Sequence, residues 1–211
     1  MGLLDSILGR TKPVQADLDA LFALPSASIT LQSAAAMACS GHAGVCFKPP
    51  TGQGFANNQA EVMALLQMDD TAGLQSTEDS FGYQWLVMED PDIEALVTRI
   101  HLVNSSLSDA GWGPQLLCSV FGLTRLPDGS PVDADGDVGD QAASVGAGTV
   151  LPSTAFLVYL FKRGTFYPFV PTGHEQRSTE EELKLRSLVA DDLSVETDLD
   201  RWFPLWDLPV P

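Results

Sequence analysis

The sequence predicts an α+β fold, a mainly antiparallel sheet with helices packed on one face in a two-layer sandwich. Strand-like runs follow one another from residue 115 to residue 170 with no helix between them. That favours an antiparallel sheet over the regular strand–helix alternation of a doubly wound parallel one. The run FLVYLFKRGTFYPFVP, residues 156–171, reads as a tight hairpin: β-branched and aromatic strands over 156–161 and 166–170 flank Gly164, which can supply a positive φ. A single clear amphipathic helix, with Ile93, Leu96, Val97, Ile100, Val103 and Leu107 at helical spacing, offers its apolar stripe to such a sheet.

In chain order, Leu3, Leu4, Ile7 and Leu8 recur at helical spacing before Arg10, Lys12 and the breaker Pro13. Residues 1–13 therefore read as an amphipathic N-terminal segment suited to a partner or to peripheral membrane contact. Asp17 caps a helix over 18–24 that Pro25 ends, and Ser28 caps a second helix through Met37. Residues 43–48 alternate as a strand, Asn57 or Asn58 opens a helix over 61–68, and residues 81–89 form the next strand. Asp90-Pro91-Asp92 opens the amphipathic helix and Gly111 ends it. A strand over 115–123 precedes the hairpin, and a last helix spans 180–193, its acidic start suiting the positive end of the helix dipole. Residues 14–211 thus form a single α+β domain, interrupted at 126–152 by a flexible Asp/Gly-rich insertion with too little apolar surface to offset ordering. After Pro204 a helix cannot continue, so Arg201-Trp202-Phe203-Pro204-Leu205-Trp206 is expected to pack as an extended strip.

Charge narrows the function. The net charge is −17, and residues 51–100 alone carry nine acidic groups against one basic group. Such a surface repels phosphate backbones, so nucleic-acid binding is disfavoured. Three cysteines, Cys39, Cys46 and Cys118, are an odd and sparse set that fits a reducing compartment. The opening MGLLDSILGR lacks the apolar core of a signal peptide, and no run approaches the roughly 20 apolar residues of a membrane span. A cytoplasmic protein, possible membrane association resting on the N-terminal segment, is the expectation.

Chemistry-bearing motifs are few. Asp133, Asp135, Asp137 and Asp140 resemble the start of a calcium loop, but Val138 and Ser144 stand where Gly and Glu are required. They read as a solvated acidic loop. Cys39, His42 and Cys46 form a C-x2-H-x3-C cluster without the second tight pair of a structural zinc site. His101 reads as a packing or surface residue of its helix. With no GxSxG, HExxH, P-loop or GxGxxG motif, no catalytic residue, cofactor or metal is assigned and a non-enzymatic role is expected. Lys162 and Arg163, adjacent cations at the hairpin tip, read either as a solubilising turn or as a docking point for an acidic partner or lipid headgroup. With Leu3, Leu4, Ile7 and Leu8 they form the candidate partner-binding set.

Five blocks carry a family resemblance: MGLLDSILGR with LDALFALPSA, AGVCFKP, NSSLSDAGWGPQLLCSVFGL, VYLFKRGTFYPFVPTG and RWFPLWDLP. Over nearly the whole chain apart from 126–152, the sequence resembles the PspA-associated protein family PspAB of actinobacteria and some archaea. The resemblance implies an accessory or adaptor protein of the phage-shock envelope-stress response, at the cytoplasmic face of the membrane. It implies a PspA-like protein or an HtpX-like membrane protease as partner, and brings no catalytic residues with it. It also sets aside the N-myristoylation reading of the Met-Gly-x-x-x-Ser start, which belongs to eukaryotic hosts. Two other readings stand beside it. One is a secretion-chaperone-like homodimer gripping an extended peptide. The other is a small-molecule-binding domain or enzyme whose pocket lies under Trp85, Trp112 and the aromatic hairpin.

Overall fold

A computed structural model describes residues 16–48, 73–126 and 153–211. Its sheet strands are β1 (Met37–Phe47), β2 (Gln75–Glu78), β3 (Gln84–Glu89), β4 (Leu116–Arg125), β5 (Thr154–Leu160) and β6 (Thr165–Phe169). They pair in the order β2-β3-β1-β4-β5-β6, every neighbour antiparallel. A small hairpin of β7 (Pro171–Gly173) and β8 (Gln176–Arg177) follows, and the helices are α1 (Leu24–Ala35), α2 (Ile93–Leu107) and α3 (Thr179–Val189). The fold class is α+β, as the strand succession indicates. None of the described helices is long and apolar enough to cross a membrane.

Alternation along the strands sorts the core into two clusters. Val45, Phe47, Leu86, Met88, Phe121, Leu157 and Tyr159 face the helices, where Leu31 of α1, Ile100 and Val103 of α2, and Leu185 of α3 bury against them. The alternate residues Cys46, Trp85, Cys118, Val120, Phe156, Val158, Tyr167 and Phe169 face the other way. None of the described helices covers that far face. The C-terminal chain does, with Trp202 and Val210 buried against it. Two glycines make room: a Cβ on Gly44 would lie 3.0 Å from the Val210 Cγ2, and one on Gly122 would lie 2.9 Å from the Pro211 carbonyl oxygen. The expected extended strip is therefore a layer of the fold.

Several local expectations change. Pro25 opens α1 instead of ending a helix: a 3-10 turn, Leu18–Ala23, runs straight into α1, with Pro25 in its first turn. There a missing N–H costs no intrahelical bond. The Asp17 side chain makes no cap bond, while Ala36 in the left-handed region (φ 51°) stops α1 just before Met37 starts β1. β1 begins well before residue 43 because a bulge hides its early half, Cys39 pairing with Leu123 and Ala43 with Phe121. Strand β2 has four exposed residues and no apolar signal. Residues 81–83 turn instead of extending, since the Asp79 carboxylate accepts the Phe81 and Tyr83 backbone N–H groups at 2.9 Å each. The amphipathic helix is as expected, with Asp92 accepting from the Glu94 N–H and Gly111 left-handed (φ 89°) beyond its end. The expected helix over 61–68 with its Asn57 or Asn58 cap, the N-terminal segment 1–13 and the insertion beyond Leu126 lie outside the described residues.

The strip is pinned at Trp202. Its ring stacks on Tyr167 at 5.8 Å, its indole N–H donates to the Glu196 carbonyl at 3.1 Å, and Arg177 donates to its own carbonyl. Replacing Trp202 by Ala is expected to cost about 3–5 kcal/mol in urea unfolding, the usual range for a buried aromatic. Replacing Phe203, a residue 58% exposed, by Ala is expected to change stability by no more than about 0.5 kcal/mol.

Candidate functional site

Four residues in one register row form the floor of a cavity on the far face. Trp85 of β3 pairs with Cys46 of β1, Cys46 with Cys118 of β4, and Cys118 with Leu160 of β5. Two small thiols between a Trp and a Leu leave a depression where a sheet of large residues would be filled. Walls rise around it from the Asp79–Tyr83 turn, from the β5–β6 tip, and from Phe203, Pro204, Leu205 and Trp206 of the strip. The half-open cavity has a volume of about 580 Å³, within the size range of small-molecule sites.

Most polar groups of the lining already have partners. Asp79 accepts the two backbone N–H groups of its turn and the Trp85 indole N–H at 2.9 Å. The Tyr167 hydroxyl donates to the Phe203 carbonyl at 2.8 Å, and burial pushes its phenol well above the usual range, so it stays a donor. Cys46 and Cys118 are free thiols. A hydrogen bond with Cys118, reinforced by burial, drives the Cys46 thiol far above its ordinary value. Cys46 is therefore a neutral thiol facing another thiol.

At the rim, the turn over Phe161–Gly164 closes through the Gly164 N–H to the Leu160 carbonyl at 2.9 Å, with Gly164 at φ 67°. A Cβ there would lie 2.8 Å from the Asp17 Cβ. Lys162 and Arg163 are both exposed. The guanidinium of Arg163 pairs closely with Glu196, whose side chain is only 2% exposed, and Arg201 pairs with Asp198 at 2.9 Å. Lys162 has no hydrogen bond or ion pair among the described residues.

Of the residues singled out in the sequence, Lys162 and Arg163 reach the cavity mouth, with different duties. Leu3, Leu4, Ile7 and Leu8, and the four aspartates of the insertion, lie outside the described residues. The C-x2-H-x3-C cluster does not assemble: Cys39 packs toward the helix-side core, Cys46 lies on the far face, and His42 sits 3.8 Å from Glu89. Among the described residues no group of three or more His, Cys, Asp or Glu side chains is placed to hold a metal ion. His101 lies in the helix layer beside Phe22 (5.0 Å between rings) and 3.9 Å from Asp19. Trp85 lines the cavity, but Trp112 packs against the helix-side core, so the two tryptophans do not share a pocket. Sequence reasoning missed the Cys46–Cys118 pairing and the role of Trp206, because both depend on which strands become neighbours.

Glu196 ties the rim to the body. Burial alone would raise its carboxyl, but the Asp198 backbone N–H, Arg163 and the Thr165 hydroxyl outweigh burial and hold it below the ordinary value. A lowered folded value contributes stability in full above the unfolded carboxyl value near about 4.3, and loses it as pH falls through the folded one. The thermal midpoint of Glu196→Gln is therefore expected to fall below wild type by the largest margin at neutral pH. That margin should shrink as the pH drops below about 4; a constant margin across the range would contradict the ion pair.

No curated protein and no solved structure matches the chain. A family model described as PspAB, PspA associated protein B, matches residues 1–210. Essentially the whole sequence is covered, and the chain belongs to the PspAB family.

Proposed function

We propose that this chain is a non-enzymatic accessory protein of the PspA-linked envelope-stress response, and that it meets a PspA-like protein through the β5–β6 tip and the neighbouring cavity mouth. Membership of a family described as PspA associated supports the partner. The observation that carries the contact point is Lys162, an exposed cation without a partner among the described residues, on a chain of net charge −17. Beside an apolar opening that cation offers a local contact to a single acidic group of a partner, whereas the chain's net negative charge repels a broadly acidic surface. The non-enzymatic reading draws support from the lining, where the two thiols face each other and the single carboxylate, Asp79, already accepts three hydrogen bonds. Work at the cytoplasmic membrane face, beside an HtpX-like protease, and a part for Leu3, Leu4, Ile7 and Leu8 in reaching that surface belong to the same proposal.

One observation favours a second reading, a domain that binds a small molecule: the 580 Å³ cavity stands formed and lined largely by apolar side chains. The two readings separate in a binding experiment with purified proteins. Isothermal titration of the chain with the PspA-like protein of the same cell is expected to show saturable binding that weakens as salt rises. Lys162→Glu should weaken it about tenfold. Absence of binding, or binding that is indifferent to Lys162→Glu, would remove the proposed contact.

A further inference from the structure

We propose that the far-face cavity binds a single-chain anionic amphiphile, a hydrocarbon body carrying one carboxylate, with Lys162 meeting the head. The lining itself specifies this chemistry. Asp79, Tyr167, Arg163 and Arg201 are engaged with protein partners, and the free thiol of Cys46 sits opposite that of Cys118 in the sheet register. A sugar or nucleobase placed among them would bury N–H and O–H donors, for which this lining, its unpartnered groups nearly all donors themselves, has few acceptors. A hydrocarbon forfeits no hydrogen bond there and gains the burial of its surface.

Among the lining side chains, the Lys162 ammonium, the Tyr83 hydroxyl and the Trp206 indole N–H have no hydrogen-bond partner among the described residues, and Arg163 and Arg201 hydrogen-bond their carboxylates through Nε, leaving their terminal nitrogens over. All of these groups can donate, which suits an anion. Phe81 and Phe203, each 58% exposed, add apolar surface to the lining. The net charge of −17 decides between a free amphiphile and an anionic bilayer. A bilayer of anionic lipid repels the chain over the whole footprint, whereas one carboxylate is answered locally by Lys162. This inference rests on the small-molecule reading of the cavity and shares Lys162 with the PspA reading; the ligand test uses the chain alone, so the two fail separately.

The test uses the full chain and laurate below its micelle concentration, followed by tryptophan emission, with Trp85 and Trp206 in the cavity wall. Saturable one-to-one binding is expected, with the uncharged alcohol of the same chain length binding about tenfold more weakly. Lys162→Glu should weaken laurate about tenfold and leave the alcohol unchanged. Cys118→Leu fills the depression and should abolish both, with a thermal midpoint at or above wild type. If that variant fails to fold, the comparison of laurate with its alcohol in wild type and Lys162→Glu still decides. Equal affinity for acid and alcohol, binding only above the micelle concentration, or adsorption to phosphatidylglycerol vesicles with none to monomeric laurate would each overturn the proposal.

Discussion

Arg177 stands between a carboxylate that has lost its water and the C-terminal strip. Its Nε lies 2.8 and 3.0 Å from the two oxygens of Glu182, whose side chain is 1% exposed, and another of its nitrogens donates to the Trp202 carbonyl. The same guanidinium lies over the Phe169 ring at 5.2 Å. Glu182 belongs to α3 in the helix layer and also accepts the Val170 N–H at 2.9 Å, so one ion pair fastens both coverings of the sheet. A buried pair of this kind adds little net stability compared with apolar packing, but losing one partner strands the other charge, which costs about 3–5 kcal/mol. Its contribution is positional: it fixes where the strip begins its run across the far face.

The cavity follows from that placement. Apolar side chains on both faces of β5 and β6 require a cover on each side, and the described helices cover one of them. The strip is narrower than a helix layer. It seals the far face where Gly44 and Gly122 let it lie close, and Phe203, Pro204, Leu205 and Trp206 wall the cavity where Cys46 and Cys118 leave the floor low. An apolar, preformed site is thus a by-product of covering a two-sided sheet with a single extended segment. Lys162 and Arg163 stand at its mouth because the β5–β6 turn ends there. Glu196 holds Arg163, and Lys162 alone of the pair is left to meet a partner.

Much of this was legible in the residues. The alternation in FLVYLFKRGTFYPFVP gave the hairpin, and the stripe from Ile93 to Leu107 gave the helix, because both patterns are local and strongly periodic. Pro25 misled because a proline reads alike at the end of one helix and in the first turn of the next. Strand β2 had no apolar residue to announce it, and the bulge at Gly41 broke the period of β1. The floor of the site was out of reach for a different reason. Cys46 and Cys118 become neighbours only through strand register, and Arg163 finds Glu196 across 33 residues of chain. The C-x2-H-x3-C spacing looked like a cluster because spacing alone does not show that Cys39 and Cys46 face opposite sides of a bulged strand.

The account depends on the strip being an integral layer, since without it there is neither a roof nor a mouth for Lys162 to guard. Two indole N–H groups in that strip allow a direct measurement by hydrogen exchange followed by NMR. The Trp202 indole is bonded to the Glu196 carbonyl and its residue is 5% exposed, whereas Trp206 is half-buried with no partner among the described residues. The structure predicts slow exchange at Trp202, protected to about the level of the β5 amides, beside rapid exchange at Trp206 in the same spectrum. Equally rapid exchange at both indoles would contradict it.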